Sequence, residues 1–348
     1  KGLGSMVSIK DVSVACGVSV ATVSKALNNH HDIGEETKER VRETARRMGY
    51  VPNFASKVLK TNRTYNIGVL FSGKSGNDLT HDHYATVLNS LKCCAEEKGY
   101  DITFVSKNGN LSAWDHRMTY LEHCKYRRFD GVAVLCTDFH DPEIQELVES
   151  DLPVVTFDHV FNDRSAVVSD TVKGISDLVR YAFEMGHRRI AYIHGEESAE
   201  TKSRVSSFYR TCKELGIEVP PEYVREAAYR DTTKTYLETE ALLKCRICPT
   251  CILFPDDFAY IGGFNSITLA GKRVPEDIST IGYDGIEIGK YLEPALATLK
   301  QDSELLGRRL AEKLIDEIEQ PKICLVEHLL VEGKIYPGRP VKKLTEAG

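Results

Sequence analysis

The sequence predicts an α/β protein: a small N-terminal helix-turn-helix headpiece, then a two-lobed body with a doubly wound parallel sheet in each lobe. Three observations predict it. Two short helical patterns joined by a glycine lie near the N-terminus, apolar strands then alternate with helical segments in two successive series, and the charge changes sign between the two parts. With 348 residues there is room for two or three domains, each with a core of its own.

The headpiece pattern is SIKDVSVACGVSVATVSKALN, residues 8–28. Ser8 with Asp11 has the form of a capping box, and Ile9, Val12 and Ala15 recur at helical spacing until Gly17 breaks the run. Ser19 restarts a helix as its N-cap, with Val23 and Leu27 one turn apart and facing the first helix. A third helix is expected over residues 35–48, with Thr37, Val41, Ala45 and Met48 as its apolar stripe, Gly49 as its stop and Pro52 beyond. The outer side of the second helix carries Val20, Ala21, Thr22, Ser24, Lys25 and Asn28. These small, hydroxylic, amide and basic groups can approach a DNA groove closely and reach phosphates and base edges. An ordinary helical hairpin shares the pattern and stays open as the alternative.

Residues 52–64, PNFASKVLKTNRT, read as a linker in which residues 55–59 could form a turn and a half of helix, too short to stand alone. From Asn66, NIGVLF, DITFVS, GVAVL and PVVTF read as strands, with helices at about 84–98, 113–126 and 141–149 between them. A second series follows: AVVSD, RIAYIHG, a strand near 223–228, CILF and ISTIGYD, with helices at about 172–185, 202–215, 232–243 and 259–269. Ligands of such sheets bind beyond the carboxyl ends of the strands, here between the lobes.

The overall charge of −6 hides an asymmetry: residues 1–64 hold eleven Lys or Arg against six Asp or Glu, so the remainder is strongly acidic. A basic end on an acidic body suits a protein that meets DNA with that end alone. No stretch has the basic-then-apolar form of a secretion signal, and no apolar run approaches the roughly 18 residues of a membrane span, so the expected location is the cytoplasm. The ten cysteines are then expected as free thiols. Cys245, Cys248 and Cys251 have the spacing of part of an iron–sulfur run, but no fourth cysteine follows nearby and Cys251 leads into the apolar Ile252-Leu253-Phe254.

Residues 68–75, GVLFSGKS, match the phosphate-loop pattern letter for letter. That chemistry needs a loop of amides followed by a helix starting at the lysine. Here Gly68 lies inside a strand, and Gly76, Asn77 and Asp78 follow the serine, so nucleotide hydrolysis is not expected. No H-E-x-x-H or G-x-S-x-G occurs, and His81-Asp82-His83 has no partners at a metal-binding spacing. No catalytic residue, metal or cofactor is expected; the pattern is that of a binder.

IKDVSVACGVSVATVSKALN, followed by GYVPNFASKVLKTNRT, resembles the headpiece and hinge of the LacI/GalR family of bacterial transcription regulators, and the resemblance continues to about residue 320. It implies a periplasmic-binding-protein-like body and three domains: a headpiece at 6–51, a hinge at 52–65, and an effector-binding and dimerisation domain at 66–340. Its lobes would interleave, the first at about 66–160 and 298–325, the second at about 161–297 and 326–340. A homodimer on a pseudo-palindromic operator in double-stranded DNA is implied, with paired hinge helices inserting Leu59 into the minor groove. Ser19, Thr22, Ser24 and Asn28 match phosphate-contacting positions, and Val20 and Ala21, just after the N-cap, are expected on base edges or thymine methyls. Lys25 stands where the family usually has an arginine and cannot form the bidentate fork to guanine. Ser8, Tyr50, Asn53 and Ser56 complete the expected DNA-binding set.

The family carries effector contacts at positions matching Asp158, Arg204, Asp256 and Asp284, and all four are polar groups at strand or helix ends here. Each taken singly could equally be a cap or a loop charge. Aromatic residues are usual at the start of the first lobe's first helix, where this chain has His81, Asp82, His83 and Tyr84. Asp256-Asp257, after Pro255, replaces the usual Asn-Asp. Arg230, beside Tyr229, adds cationic character. A repressor of carbohydrate-utilisation genes, controlled by a sugar or sugar derivative between the lobes, is the expected function. A purine, a phosphorylated or acidic ligand, or a partner protein is the alternative, and a solute-binding protein or an enzyme is less favoured.

Overall fold

A computed structural model describes residues 7–51, 58, 61–72, 78–106 and 117–344. Asn53, Ser56 and Leu59, and most of the linker, therefore lie outside the described residues, as do Gly73, Lys74 and Ser75 of the phosphate-loop pattern. The chain forms two compact units, Lys1–Thr64 and Tyr65–Gly348.

In the first unit, α1 (Ile9–Cys16), α2 (Val20–Leu27) and α3 (Glu35–Met48) surround a core of Val12, Cys16, Val23, Ala26, Val41 and Ala45. Ser8 forms the expected capping box with Asp11, and Gly17 turns the chain at φ 64°, a left-handed conformation that glycine adopts without steric cost. Ala15 was expected on the buried face but is exposed; Cys16 fills that place, because the inward stripe of α1 runs Val12–Cys16 at i,i+4.

Among the described residues, the second unit contains two six-stranded sheets. The first joins β1 (Asn66–Phe71), β2 (Asp101–Val105), β3 (Gly131–Leu135), β4 (Val154–Phe157), β5 (Ala166–Ser169) and β11 (His328–Val331) in the order 11-5-4-3-1-2, all parallel. The second joins β6 (Ile190–His194), β7 (Val224–Glu226), β8 (Cys251–Leu253), β9 (Ser279–Asp284), β10 (Thr298–Lys300) and β12 (Lys334–Tyr336) in the order 12-10-9-8-6-7. Only β12 runs antiparallel to its described neighbour. Both sheets are doubly wound, with strand order reversing between β1 and β3 and again between β6 and β8.

The helices of this unit are α4 (Asp82–Glu97), α5 (Tyr120–Arg127), α6 (Pro142–Glu149), α7 (Thr171–Glu184), α8 (Ala199–Glu214), α9 (Thr232–Leu243), α10 (Asp257–Leu269) and α11 (Ser303–Glu319). None of the described helices is long and apolar enough to cross a membrane. The start of α5 falls well after the expected residue 113, because Thr119 and Glu122 form a capping box there.

The chain passes between the sheets three times, but later than expected near 160, 297 and 325. AVVS, assigned to the second lobe, is β5 of the first sheet: Asp158 donates its N–H to Val167 O, and Ala166 donates to Glu327 O. HLLV, also assigned to the second lobe, pairs with β5 as β11. TLK, assigned to the first lobe, is β10 of the second sheet. The crossings therefore follow Ser169, Lys300 and Val331. An apolar run marks a buried strand without saying which of two sheets receives it.

Leu306, Leu310, Leu314 and Ile315 of α11 pack with Ile67, Val69, Val87 and Leu91 in the first lobe, while α7 packs through Ile175, Leu178 and Val179 with Ile190 and Leu253 in the second. A Cβ on Gly262 of α10 would stand 1.9 Å from the Thr232 carbonyl oxygen at the start of α9. Gly262→Ala should therefore push the two helices apart and destabilise the chain by about 1–3 kcal/mol, lowering Tm by roughly 2–4 °C per kcal/mol. Thermal unfolding measures this; an unchanged Tm would mean that α9 and α10 separate at no cost.

Candidate functional site

Two faces gather the residues singled out in the sequence. On the headpiece, Ser19 caps α2 by accepting from the Thr22 N–H at 3.1 Å and shares a hydrogen bond with the Thr22 hydroxyl at 2.8 Å. Val20 and Ala21 are exposed on the first turn. Lys25 Nζ donates to Asp32 Oδ2 at 2.5 Å, and this bond holds the Asp32 carboxyl below the usual carboxylate range. Asn28 Nδ2 donates to the Ser24 carbonyl at 2.7 Å, Ser8 is engaged in its capping box, and Tyr50 packs against the headpiece core. Among these residues, Val20 and Ala21 present the apolar surface suited to thymine methyl groups.

The second face is the cleft between the lobes, at the carboxyl ends of the strands. Asp158 follows β4 with φ 52°, and its Oδ1 accepts from the Ser169 N–H at 2.7 Å. Burial, and then the Glu200 carboxylate facing it, raise its pKa. Glu200 lies in the first turn of α8, where its Oε1 accepts from Arg204 Nη2 at 2.5 Å. The buried Arg204 guanidinium lies 3.9 Å from the Tyr283 ring centroid, and its Nε has no hydrogen-bond partner among the described residues.

The Asp256-Asp257 pair is buried and fully engaged in structure. Asp256 caps α10: Oδ1 accepts from the N–H groups of Phe258 at 2.8 Å and Ala259 at 2.7 Å, while Oδ2 accepts from the Arg230 N–H at 2.7 Å. Asp257 accepts from the Ile286 N–H at 2.9 Å and the Thr298 hydroxyl at 2.7 Å, tying α10 to the ends of β9 and β10. Burial, then the nearby Asp284 charge, push both carboxyls upward.

Asp284 ends β9 at φ 103° and accepts from Gln301 Nε2 at 2.7 Å. Its Oδ2 lies 3.7 Å from His81 Nε2 of the first lobe. Arg230 crosses in the opposite direction, donating from Nη1 to the Thr80 hydroxyl at 3.3 Å. His81, Arg230, Asp256 and Asp284 thus line one small cavity, together with Phe258 and Ile286. His83 and Tyr84 stand behind it: His83 Nδ1 shares a 2.9 Å hydrogen bond with the Ser303 hydroxyl at the start of α11, and Tyr84 packs edge-on to Phe71 and Phe157. Beyond His83 a cleft of about 740 Å³ opens between α4 and the segment following β10.

Sequence reasoning did not single out Glu200, Gln301 or Ser303. The i,i+4 spacing of Glu200 and Arg204 was a readable signal. Gln301 and Ser303 reach their partners only because the chain crosses between the lobes there, and no local pattern reports that.

Residues 8–53 match the family model described as bacterial regulatory proteins, lacI family, and residues 179–339 match that of a periplasmic binding protein-like domain. The HTH-type transcriptional repressor PurR of Serratia proteamaculans is 30% identical over 346 residues, covering 96% of this chain and 98% of that protein. This chain belongs to the LacI family of bacterial regulatory proteins. Its function at the level of that family is DNA-binding regulation of transcription. Two solved structures share the fold: the Lac repressor dimer bound to operator and the anti-inducer ONPF, with TM-score 0.77, 23% identity and coverage of 97% and 99%, and the transcriptional regulator CelR–cellobiose complex, with TM-score 0.68, 22% identity and coverage of 96% and 99%.

The cleft makes opposite contributions to stability as pH falls. Burial lowers the His83 pKa from about 6.5 to about 4, so between these values the unfolded chain binds the extra proton and stability drops with acid, by at most about 1.4 kcal/mol per pH unit. The raised pKa of Asp158 has the reverse sign: the folded chain takes its proton first, and stability rises as pH falls toward the unfolded value. In thermal unfolding between pH 6.5 and 4, His83→Gln should therefore flatten the acid loss and Asp158→Asn should steepen it. Profiles parallel to wild type would contradict both environments.

Proposed function

We propose that this chain is a homodimeric repressor of carbohydrate-utilisation genes, binding a pseudo-palindromic operator and controlled by a sugar or sugar derivative held between the lobes. The carrying observation is contact across the cleft: His81 and Thr80 from the first lobe meet Asp284 and Arg230 from the second, while Asp158 of the first lobe lies within electrostatic reach of Glu200 and Arg204 of the second. Carboxylates and guanidinium groups accept from and donate to vicinal hydroxyls, and an aromatic side chain such as Phe258 suits the apolar side of a sugar ring. The cellobiose carried by one fold relative supports a carbohydrate.

Three chain crossings form a hinge between the lobes, so a ligand that prefers one lobe arrangement shifts the population of states competent for DNA. The protein acts by binding, in the cytoplasm, with no reaction of its own. Asp256 supports this reading, because its carboxylate is committed to capping and its proximity to the cleft has a structural cause. His83 lines the larger cleft beside α4, and Tyr84 acts from behind His81.

On DNA, the exposed first turn of α2 meets base edges, with Ser19, Thr22, Ser24 and Asn28 on phosphates and Lys25 released from Asp32 to reach a base or phosphate. The expected result of a genomic-fragment selection with the full chain is enrichment of a pseudo-palindrome whose half-sites lie about one helical turn, or a multiple of it, apart. Lys25→Ala should change base preference at one or two positions of each half-site. Failure to enrich any DNA would remove the proposal, and a uniformly weaker Lys25→Ala with unaltered preference would assign Lys25 to phosphate.

A further inference from the structure

Among the described residues, one cation of the cleft has no directly paired carboxylate. Arg204, the other guanidinium there, is paired with Glu200 at 2.5 Å. Arg230 lines the same cavity as His81 and Asp284, yet its guanidinium has only neutral partners among the described residues: the Thr80 hydroxyl at 3.3 Å and the face of Phe258, 4.7 Å from the ring centroid. A guanidinium offers five donors in a planar fork that fits a carboxylate or phosphate bidentately, and one hydroxyl and a ring use little of that capacity.

The backbone places this side chain deliberately. Arg230 sits at φ 62°, a left-handed conformation that a non-glycine residue adopts only at a steric cost. Its N–H donates to Asp256 Oδ2 at 2.7 Å, and its carbonyl accepts from the Thr232 N–H at 3.1 Å. Because Asp256 is also the cap of α10, the root of the side chain is anchored to a rigid element while its head spans to the other lobe.

The carboxylates of Asp256 and Asp284 line the same cavity but make no direct pair with the guanidinium among the described residues. Asp256 already accepts three N–H groups, and Asp284 accepts from Gln301 while its other oxygen faces His81. On the opposite wall, His81 has a buried Nδ1 with no hydrogen-bond partner among the described residues. Two groups lining one cavity are thus left short of partners, and the stronger is a permanent cation.

Resting on the reading of the cleft as the effector site, we propose that Arg230 is its anion receptor and that the effector is an anionic sugar. The carboxylate of a sugar acid or the phosphate of a sugar phosphate would take the guanidinium from Thr80, while the sugar hydroxyls reach Asp284. Arg230 would then set specificity between a neutral sugar and its charged derivative, and would also report occupancy, since the contact it leaves is one that joins the lobes.

The test is calorimetric titration of the full chain with matched gluco and galacto series: the neutral hexose, the hexuronate and the hexose 6-phosphate, with inorganic phosphate as a further probe. At least one charged member should bind tenfold or more tightly than its neutral parent, and which one does so separates carboxylate from phosphate. Arg230→Gln should reduce that preference by about tenfold to a hundredfold. Arg230→Lys, which keeps the charge and loses the fork, should fall between, with thermal unfolding confirming that both variants fold. The proposal is overturned by a neutral hexose binding as tightly as its charged derivatives, by an undiminished preference in Arg230→Gln, by inorganic phosphate binding as tightly as the sugar phosphate, or by no member binding at all. A neutral hexose whose binding is lost in Asp284→Ala would remove the anion and leave the cleft as the effector site; the operator selection tests the regulator independently of either result.

Discussion

The buried carboxylates of Asp256 and Asp257 fix the geometry on which the cleft depends. A carboxylate removed from water is costly unless its oxygens are satisfied, and here each finds donors that belong to different elements. Asp256 binds the first turn of α10 and the backbone of Arg230; Asp257 binds the backbone just beyond β9 and the hydroxyl of Thr298 on β10. Two adjacent residues therefore set the positions of the helix start, of Arg230 and of the strand end carrying Asp284. Burial raises both carboxyl pKa values, and the hydrogen bonds counter that desolvation only in part.

The first lobe presents a complementary wall with a different logic. Asp158 is held by Ser169, and His81 and Tyr84 stand at the start of α4, whose inner side is fixed to α11 by the bond between His83 and Ser303. Since α11 follows directly on the second crossing, movement of one lobe against the other bears on the residues that line the cleft. Contacts such as His81 to Asp284 and Arg230 to Thr80 are long or neutral, the kind that exchange readily for a ligand. A buried, saturated framework thus supports a small set of incompletely satisfied groups.

Much of this was legible in the sequence because it is local. The capping box at Ser8, the cap at Ser19 and the turn at Gly17 follow from residue chemistry within one or two helical turns, and the alternation of apolar strands with helices implied the two parallel sheets. Asp158, Asp256 and Asp284 were visible as polar groups at the ends of strands. What was not legible depends on tertiary pairing. Nothing in AVVS or HLLV says which sheet receives them, and that choice moved all three crossings. Whether Asp256 faces a ligand or caps a helix likewise depends on where the N–H groups of Phe258, Ala259 and Arg230 point, and all three converge on it.

On the proposed function, occupation of the cleft and binding of operator form one coupled equilibrium. Thermodynamic linkage makes this testable without knowing the sign of the response: the factor by which a ligand changes operator affinity must equal the factor by which operator changes ligand affinity. The most direct measurement is the dissociation constant of a cleft ligand for the full chain with and without a saturating operator duplex, set against the operator dissociation constant with and without that ligand. Coupling predicts the same factor in both, on the order of 5–150-fold. A ligand whose affinity is identical with and without operator would show that the cleft binds it without controlling DNA.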